Sequence, residues 1–346
     1  VMDNKSYPEK IRDLSRLALA RAEIAREKSN PEQAEEETRY QPQEEEAPHT
    51  AGTAEERLLA FIGGKAESAL LMDAFNILLE EDIFQTNPQA LEKLNGWVKA
   101  RDASRQPAAM YAMGSLLLEK DDLSGAVKMA EEGLSKYPQS LPVQILSLNT
   151  ITVLLDKNRL QDAERLISKY PGSSPDLVFQ QGALAFLKKD YSLAQKLFRE
   201  AARRASETTA ENALFNENLA ALNANDASGA AALIKEAADS SRLRESILFE
   251  QAHYAAKRMA PQAAELLANF ITLAETPALK TQARLDQAEV ALNLNPPDLE
   301  TVQAILPLLE KEQLSPEQTM QLARLNILEA ESRQTGVSGR QRRLVL

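Results

Sequence analysis

Cysteine is absent from all 346 residues of the chain, and its absence excludes several kinds of chemistry. Without thiols there are no disulfides, no thiolate ligands for zinc and no cysteine nucleophile. Only two histidines occur, His49 and His253, and they do not have the spacing of a zinc site. We therefore expect neither a metal nor another cofactor. The lack of cysteine also favours the bacterial periplasm or envelope over the cytoplasm.

Aromatic residues, glycine and strand-forming runs are also scarce. Aromatic residues make up 5% of the chain, glycine occurs 12 times, and runs of Val, Ile and Thr are nearly absent. Alanine, leucine, glutamate, lysine and glutamine are abundant instead, and these residues favour helix. The composition therefore predicts an all-α fold.

Long apolar runs are missing as well, and none approaches the roughly 20 residues that a membrane-spanning helix needs. The sequence begins at Val1, ahead of Met2, and ends at Leu346. We interpret both ends as cut edges and expect that a membrane anchor or a further domain has been removed.

Basic residues are fewer than acidic ones: the chain has 40 basic and 51 acidic residues, and its formal charge is −11. Such a field repels phosphate backbones, so nucleic acid is not an expected partner.

Catalytic motifs are absent too: there is no Gly-x-Ser-x-Gly, no dinucleotide fingerprint and no calcium loop. Gly63-Gly64-Lys65 has two interpretations, a phosphate loop or a helix break. It lacks the spacing of a phosphate loop and no strand precedes it, so we predict a helix break. The sequence predicts that the chain is not an enzyme.

The N-terminal part combines a helical pattern with an acidic stretch. Glu9 to Lys28 has the apolar spacing of an amphipathic helix, which is expected to stand alone. The acidic, proline-containing stretch from Ser29 to Glu55 cannot bury enough apolar surface to fold. It is interpreted as a solvated spacer or, alternatively, as an acidic ligand for a basic partner.

A turn between two helices is repeated along the middle of the chain. It recurs in the stretches from Leu117 (LLEKDDLSGAVKMA), from Leu154 (LLDKNRLQDAERLI) and from Ala221 (ALNANDASGAAALI). An alanine follows each turn, and by subtraction these alanines are 37, 31, 36 and 34 residues apart; they are Ala126, Ala163, Ala194, Ala230 and Ala264. The spacing predicts consecutive helix pairs of similar length.

In several of the predicted pairs a small residue occupies the middle of the first helix. Gly114 and Gly182 are the clearest examples. They predict a close approach between the two antiparallel helices of a pair. Large residues such as Phe198 are expected to cover the small residues of a neighbouring helix. A single pair cannot bury its apolar stripe, so stacked pairs are expected to share one core.

This pattern resembles the tetratricopeptide repeat, a helix pair of about 34 residues with small residues at places eight and twenty. One copy runs from Pro107, with Gly114, Ala126 and Pro138 at places eight, twenty and thirty-two. Another runs from Pro175, with Gly182 and Ala194 at the same two places. The resemblance implies a right-handed superhelical solenoid. The pattern becomes irregular beyond Arg244, because Pro261 is expected to start a second helix early and Pro307 to interrupt a later one.

The predicted organisation therefore has six parts. They are an isolated amphipathic helix (1–28), a flexible acidic linker (29–55), a helical cap or degenerate repeat (56–106), tetratricopeptide-like repeats (107–275), degenerate repeats with a capping helix (276–333) and a basic disordered tail (334–346).

The resemblance also implies a binding surface, since the first helices of such pairs line a concave groove. Aromatic, apolar and amide residues fall at the matching places: Tyr111, Leu148, Asn149, Phe179, Gln180, Phe186, Phe215, Asn216, Phe249 and His253. They either dock a protein or peptide partner or pack between neighbouring helices.

These observations predict a non-enzymatic scaffold for protein–protein interaction, within a bacterial envelope or secretion assembly. Two other functions stay open: a chaperone or adaptor for a secreted substrate, and an accessory domain of a polysaccharide export or processing machine. Self-association through an exposed end of the stack is a further prediction.

Overall fold

The computed structural model describes residues 9–29, 53–64, 68–100, 102–237 and 240–335. Within these ranges the secondary-structure elements are α-helices and no strand occurs, which confirms the all-α prediction. The helices are α1 Glu9–Ser29, α2 Ala54–Gly63, α3 Ser68–Glu80, α4 Ile83–Thr86, α5 Pro88–Lys99, α6 Gln106–Glu119, α7 Leu123–Lys136, α8 Leu141–Asp156, α9 Leu160–Lys169, α10 Pro175–Leu187, α11 Tyr191–Arg204, α12 Glu207–Asn223, α13 Ala227–Glu236, α14 Ser241–Lys257, α15 Ala263–Leu273, α16 Pro277–Asn293, α17 Leu299–Leu309 and α18 Pro316–Thr335.

The chain divides into two compact units between Gln180 and Gln181, within α10. In unit 1, α1 does not stand alone as the sequence predicted, because it contacts α2 and α3. Leu17 and Ile24 are buried in the same apolar cluster as residues of those helices, and Arg21 pairs with Glu80 at 2.7 Å. The apolar stripe of α1 thus has a partner within the chain.

The start of α2 is fixed by Thr53, which lies inside the stretch predicted as a linker. Its hydroxyl accepts a hydrogen bond from the backbone N–H of Glu56, and the Glu56 carboxylate accepts one from the N–H of Thr53. This reciprocal capping box stabilises the first turn. The predicted linker therefore ends before Thr53, and its residues 30–52 lie outside the described ranges, as do residues 336–346 of the predicted tail.

The predicted helix break is confirmed, because α2 ends at Gly63 and Gly64 is its C-cap. The next helices of unit 1 enclose a large apolar cluster. Within it, the ring of Trp97 on α5 meets Phe75 on α3 edge-on, with centroids 5.7 Å apart.

The repeated turn of the sequence is one backbone motif. In each copy a non-glycine residue has positive φ; these residues are Asp121, Asn158, Lys189, Asn225 and Met259. The N–H of the following residue returns to a carbonyl five positions back, as from Asp122 to Leu117 at 2.8 Å and from Asp226 to Ala221 at 2.9 Å. This is the Schellman ending of a helix. The next helix begins two residues after the positive-φ residue in the first four copies, and at Ala263 in the last.

Three of these turns also carry an aspartate that caps the second helix. The side chains of Asp122, Asp190 and Asp226 accept hydrogen bonds from the backbone N–H groups of Gly125, Leu193 and Gly229, at 2.9, 3.1 and 2.9 Å. Helix ending and helix start are thus encoded within two successive residues, which is why the sequence of the turn recurs.

The helices of successive pairs also touch each other. In unit 1, α6 contacts both α7 and α8. In unit 2, α12 contacts α13 and α14, α14 contacts α15 and α16, and α16 contacts α17 and α18. The first helices α6, α12, α14 and α16 thus each pack on their own partner and on the first helix that follows in the chain.

The small residues allow close approach, but not always between the helices expected. A Cβ on Gly182 would lie 2.8 Å from Cδ1 of Phe198, in the second helix of the same pair, as predicted. A Cβ on Gly114 would instead lie 2.3 Å from Cδ1 of Leu146, which belongs to the first helix of the next pair. Gly114 therefore permits contact between pairs.

Two proline predictions are wrong. Pro261 does not start a helix, since α15 begins at Ala263; this places Ala263 in the core and leaves Ala264 exposed. Pro307 does not interrupt α17, which continues to Leu309.

Candidate functional site

In unit 1 the predicted groove residues lie on three first helices. Tyr111 on α6 packs against the N-terminal apolar cluster, and burial raises the pKa of its hydroxyl. Leu148 on α8 is half-buried, whereas its neighbour Asn149 is exposed.

Phe179 on α10 is likewise half-buried. Gln180 donates from Nε2 to Oγ1 of Thr152 at 2.8 Å, which links α10 to α8. Asn149 is thus the most accessible of the predicted residues in this unit.

In unit 2 several predicted groove residues are occupied by contacts within the protein. The rings of Phe186 and Tyr191 meet edge-on with centroids 5.3 Å apart. Phe215 packs against the cluster that contains Leu233 and Ile247. Asn216 donates from Nδ2 to the carbonyl of Asn212 in its own helix at 2.8 Å.

Phe249 corrects the predicted surface, because only 8% of it is exposed. Its ring stacks on His253 and tilts against Phe270, with centroids 5.5 Å away in both cases. Phe249 is therefore a packing residue, the alternative that the sequence left open.

Sequence reasoning missed a row of polar contacts that joins the first helices of unit 2. We define this polar row by four pairs: Gln251 with Asn218 (2.9 Å), His253 with Asp286 (2.5 Å), Gln282 with Gln321 (3.2 Å) and Arg324 with Glu289 (3.5 Å). The partners are 33, 33, 39 and 35 positions apart. The sequence signal that could have revealed these contacts is the spacing of the polar residues, which lie about one repeat length apart.

The pair His253 and Asp286 lies at the centre of the polar row. Asp286 is 2% exposed, and its second oxygen accepts a hydrogen bond from Nε2 of Gln282 at 3.2 Å. The hydrogen bond to Asp286 raises the pKa of His253, against the opposing effect of burial. Burial raises the pKa of nearby Glu250, and the charge of Asp286 adds to that effect.

A cleft of about 420 Å³ opens beside this pair, between the ends of α14 and α16. Charges of both signs line it, with Lys257 and Arg258 from α14 and Asp286 and Glu289 from α16. The guanidinium of Arg258 lies over the ring of Tyr254, 4.4 Å from its centroid. The cleft thus offers cationic donors and carboxylate acceptors within one concave site.

The described residues contain no cluster of three or more His, Cys, Asp or Glu placed to hold a metal ion. Among the same residues, no helix combines the length and the apolar character needed to cross a membrane.

Neither a protein-family model nor a curated protein sequence matches this chain. The resemblance to tetratricopeptide repeats therefore stays a prediction.

Proposed function

We propose that this chain is a non-enzymatic scaffold of tetratricopeptide-like helix pairs, stacked as a right-handed superhelical solenoid, that binds a protein or peptide partner. The partner lies along the polar row and the adjoining cleft of unit 2. Lys257, Arg258 and Glu289 are the residues that contact its charged groups.

The observation that carries this proposal is the contact of α12 with α14, of α14 with α16 and of α16 with α18 in unit 2. Such contacts support the proposal, because the units of a repeat protein contact only their neighbours. Three Schellman turns in unit 2 and two in unit 1 supply the matching connections.

The chemistry of the cleft supports a peptide as the ligand. Its volume lies within the range of about 300–1,000 Å³ that is usual for ligand sites. Donors and carboxylates on opposite walls suit a segment that carries both signs of charge. The lack of cysteine makes the bacterial envelope the setting in which we place this scaffold.

A displayed library of random peptides of about 12 residues, selected on the full chain, tests the proposal. We expect selected peptides to carry both acidic and basic residues and to bind at least about tenfold more weakly to Lys257→Glu, a loss that one interfacial charge pair can cause. The control is Lys196→Glu, an equal charge reversal at an exposed position on α11. It should bind the same peptides within about twofold.

Peptides that bound both variants equally would contradict the assignment to this cleft. If no peptide were selected on the chain but polysaccharides bound to it, the proposal that its partner is a protein or peptide would be contradicted.

A further inference from the structure

The last described helix, α18, is apolar on two opposite faces. Leu322 and Leu325 are buried in a cluster with residues of α16 and α17. On the other face Met320 and Ile327 are 68% and 61% exposed, and Ala323 and Ala330 are exposed beside them. Exposed polar residues such as Arg324 and Asn326 lie between these two faces, so α18 carries a second apolar stripe besides the one that packs in the core.

The exposed residues of α18 form a regular seam. Met320, Ala323, Ile327 and Ala330 follow one another at spacings of three, four and three residues. This is the spacing of the core positions in a two-helix coiled coil. We call these four residues the α18 seam.

The α18 seam is complementary to itself in one arrangement. Met320 and Ala330 are equally distant from Leu325, and so are Ala323 and Ile327. Two antiparallel copies centred on Leu325 therefore place each large side chain opposite a small one. Position 325 also lies at the middle of Pro316–Thr335, so the two helices overlap along their full length.

We propose that the α18 seam is the interface of a two-fold symmetric dimer, with the antiparallel α18 of a second copy of this chain as its occupant. A two-fold axis makes every contact reciprocal. If one residue of the first copy contacts another residue of the second copy, the same two positions also touch with the copies exchanged. The α18 seam meets this requirement, and facing large and small side chains interdigitate as in a packed core. The proposal does not depend on the peptide site.

The first experiment measures the mass of the full chain by sedimentation velocity between about 1 and 200 µM, a range that covers weak association. We expect a concentration-dependent monomer–dimer equilibrium. Ile327→Arg should raise the dimer dissociation constant at least about tenfold, because it puts a charge in the centre of the seam. The control is Leu273→Arg on α15, where the native side chain is 62% exposed, and it should change the constant less than about twofold.

The second experiment tests the register. Ala330→Met puts methionine opposite methionine in the antiparallel arrangement and should weaken the dimer through overpacking. Adding Met320→Ala to that variant again places a large residue opposite a small one, so it should restore association. A parallel dimer would respond in the opposite way, with Ala330→Met strengthening it.

Cross-linking gives a direct readout, since the native chain has no cysteine. An oxidised mixture of Met320→Cys and Ala330→Cys chains should form a disulfide-linked heterodimer, whereas each variant alone should not. A mass that stayed monomeric over the whole range would overturn the proposal. It would also be overturned if deleting residues 336–346 were needed before a dimer formed, because that segment would then be the occupant.

Discussion

At the scale of single residues, Arg199 on α11 connects two glutamates of different helices. Its guanidinium donates to Oε1 of Glu217 on α12 at 2.7 Å and also pairs with Glu236 on α13. Glu217 is 2% exposed, and its other oxygen has no hydrogen-bond partner among the residues that the structure describes. Burial raises the pKa of Glu217 even beside this arginine. The carboxylate therefore depends on Arg199 for compensation.

Arg199→Ala should lower the free energy of unfolding by at least about 2 kcal/mol at neutral pH, because it leaves a buried charge unpaired. Urea denaturation measures the change. The control is Arg204→Ala, which removes an exposed ion pair with Glu200 on the same helix and should cost under about 1 kcal/mol.

The loss in Arg199→Ala should shrink as the pH falls through the raised pKa of Glu217, since the protonated acid needs no cation. Adding Glu217→Gln should recover most of the stability at neutral pH. If the double variant were as unstable as Arg199→Ala, the loss would come from the packing of the arginine stem.

The pair His253 and Asp286 predicts a pH dependence of folding. The pKa of His253 is raised above its ordinary value of 6.5 by the hydrogen bond to Asp286. The folded state then binds the proton more tightly than the unfolded state. The stabilisation is thus complete below about pH 6.5 and is lost as the pH rises through the pKa of the folded state.

We therefore expect the stability difference between the native chain and His253→Gln to be larger near pH 5.5 than near pH 8.5, since those conditions bracket the ordinary histidine pKa. Denaturation at both pH values measures it. In the His49→Gln background a single imidazole signal remains for NMR titration. Its pKa should fall when Asp286→Asn is added, and an unchanged pKa would contradict the assigned pair.

At this scale the sequence predicted some contacts and missed others for a physical reason. The close approach of Phe198 and Gly182 follows from spacing within one helix pair, which the repeat length defines. The pair His253 and Asp286 joins two different pairs, 33 residues apart, and depends on the rotation of each helix. Composition does not fix that rotation, and for the same reason Phe249 was assigned to a surface although it is buried.

At the scale of helices, Gly114 on α6 marks a contact between successive pairs. Gly114→Ala should lower the free energy of unfolding by about 1 kcal/mol. The added methyl group overpacks against buried Leu146, and this cost exceeds the gain in helix propensity. Chemical denaturation checks the value.

Gly96→Ala is the matched control, because this glycine also lies in a helix of unit 1 and a Cβ there would meet no atom of the described residues within 4 Å. With no steric cost it should raise stability by up to about 1 kcal/mol. A stabilising Gly114→Ala would show that α6 and α8 do not require a glycine at their contact.

Proline marks several helix starts of the structure. Pro88 and Pro277 each open a helix, because the N–H that proline lacks is not needed in the first turn. Pro307 was misjudged because it lies in the last turn of α17, where only two residues of the helix follow it. Thr53 and Glu56 were overlooked, although their spacing is the sequence signature of a capping box.

At the scale of the whole molecule, the net charge of −11 acts on every association of this chain. Two copies that approach through the α18 seam repel each other, whereas the seam itself consists of uncharged side chains. Salt screens this repulsion, since the Debye length falls from about 30 Å at 0.01 M to about 10 Å at 0.1 M. Apolar packing within the seam is not weakened by such screening.

The dimer dissociation constant at neutral pH should therefore decrease as salt is raised from about 0.01 to 0.1 M. Sedimentation velocity at a series of salt concentrations measures this change. Ile327→Arg brings a cation to the centre of each seam, so the weak dimer that remains should show a salt dependence of the same sign. A native dimer that dissociated on addition of salt would require an interface of ion pairs, which the four residues of the α18 seam do not provide.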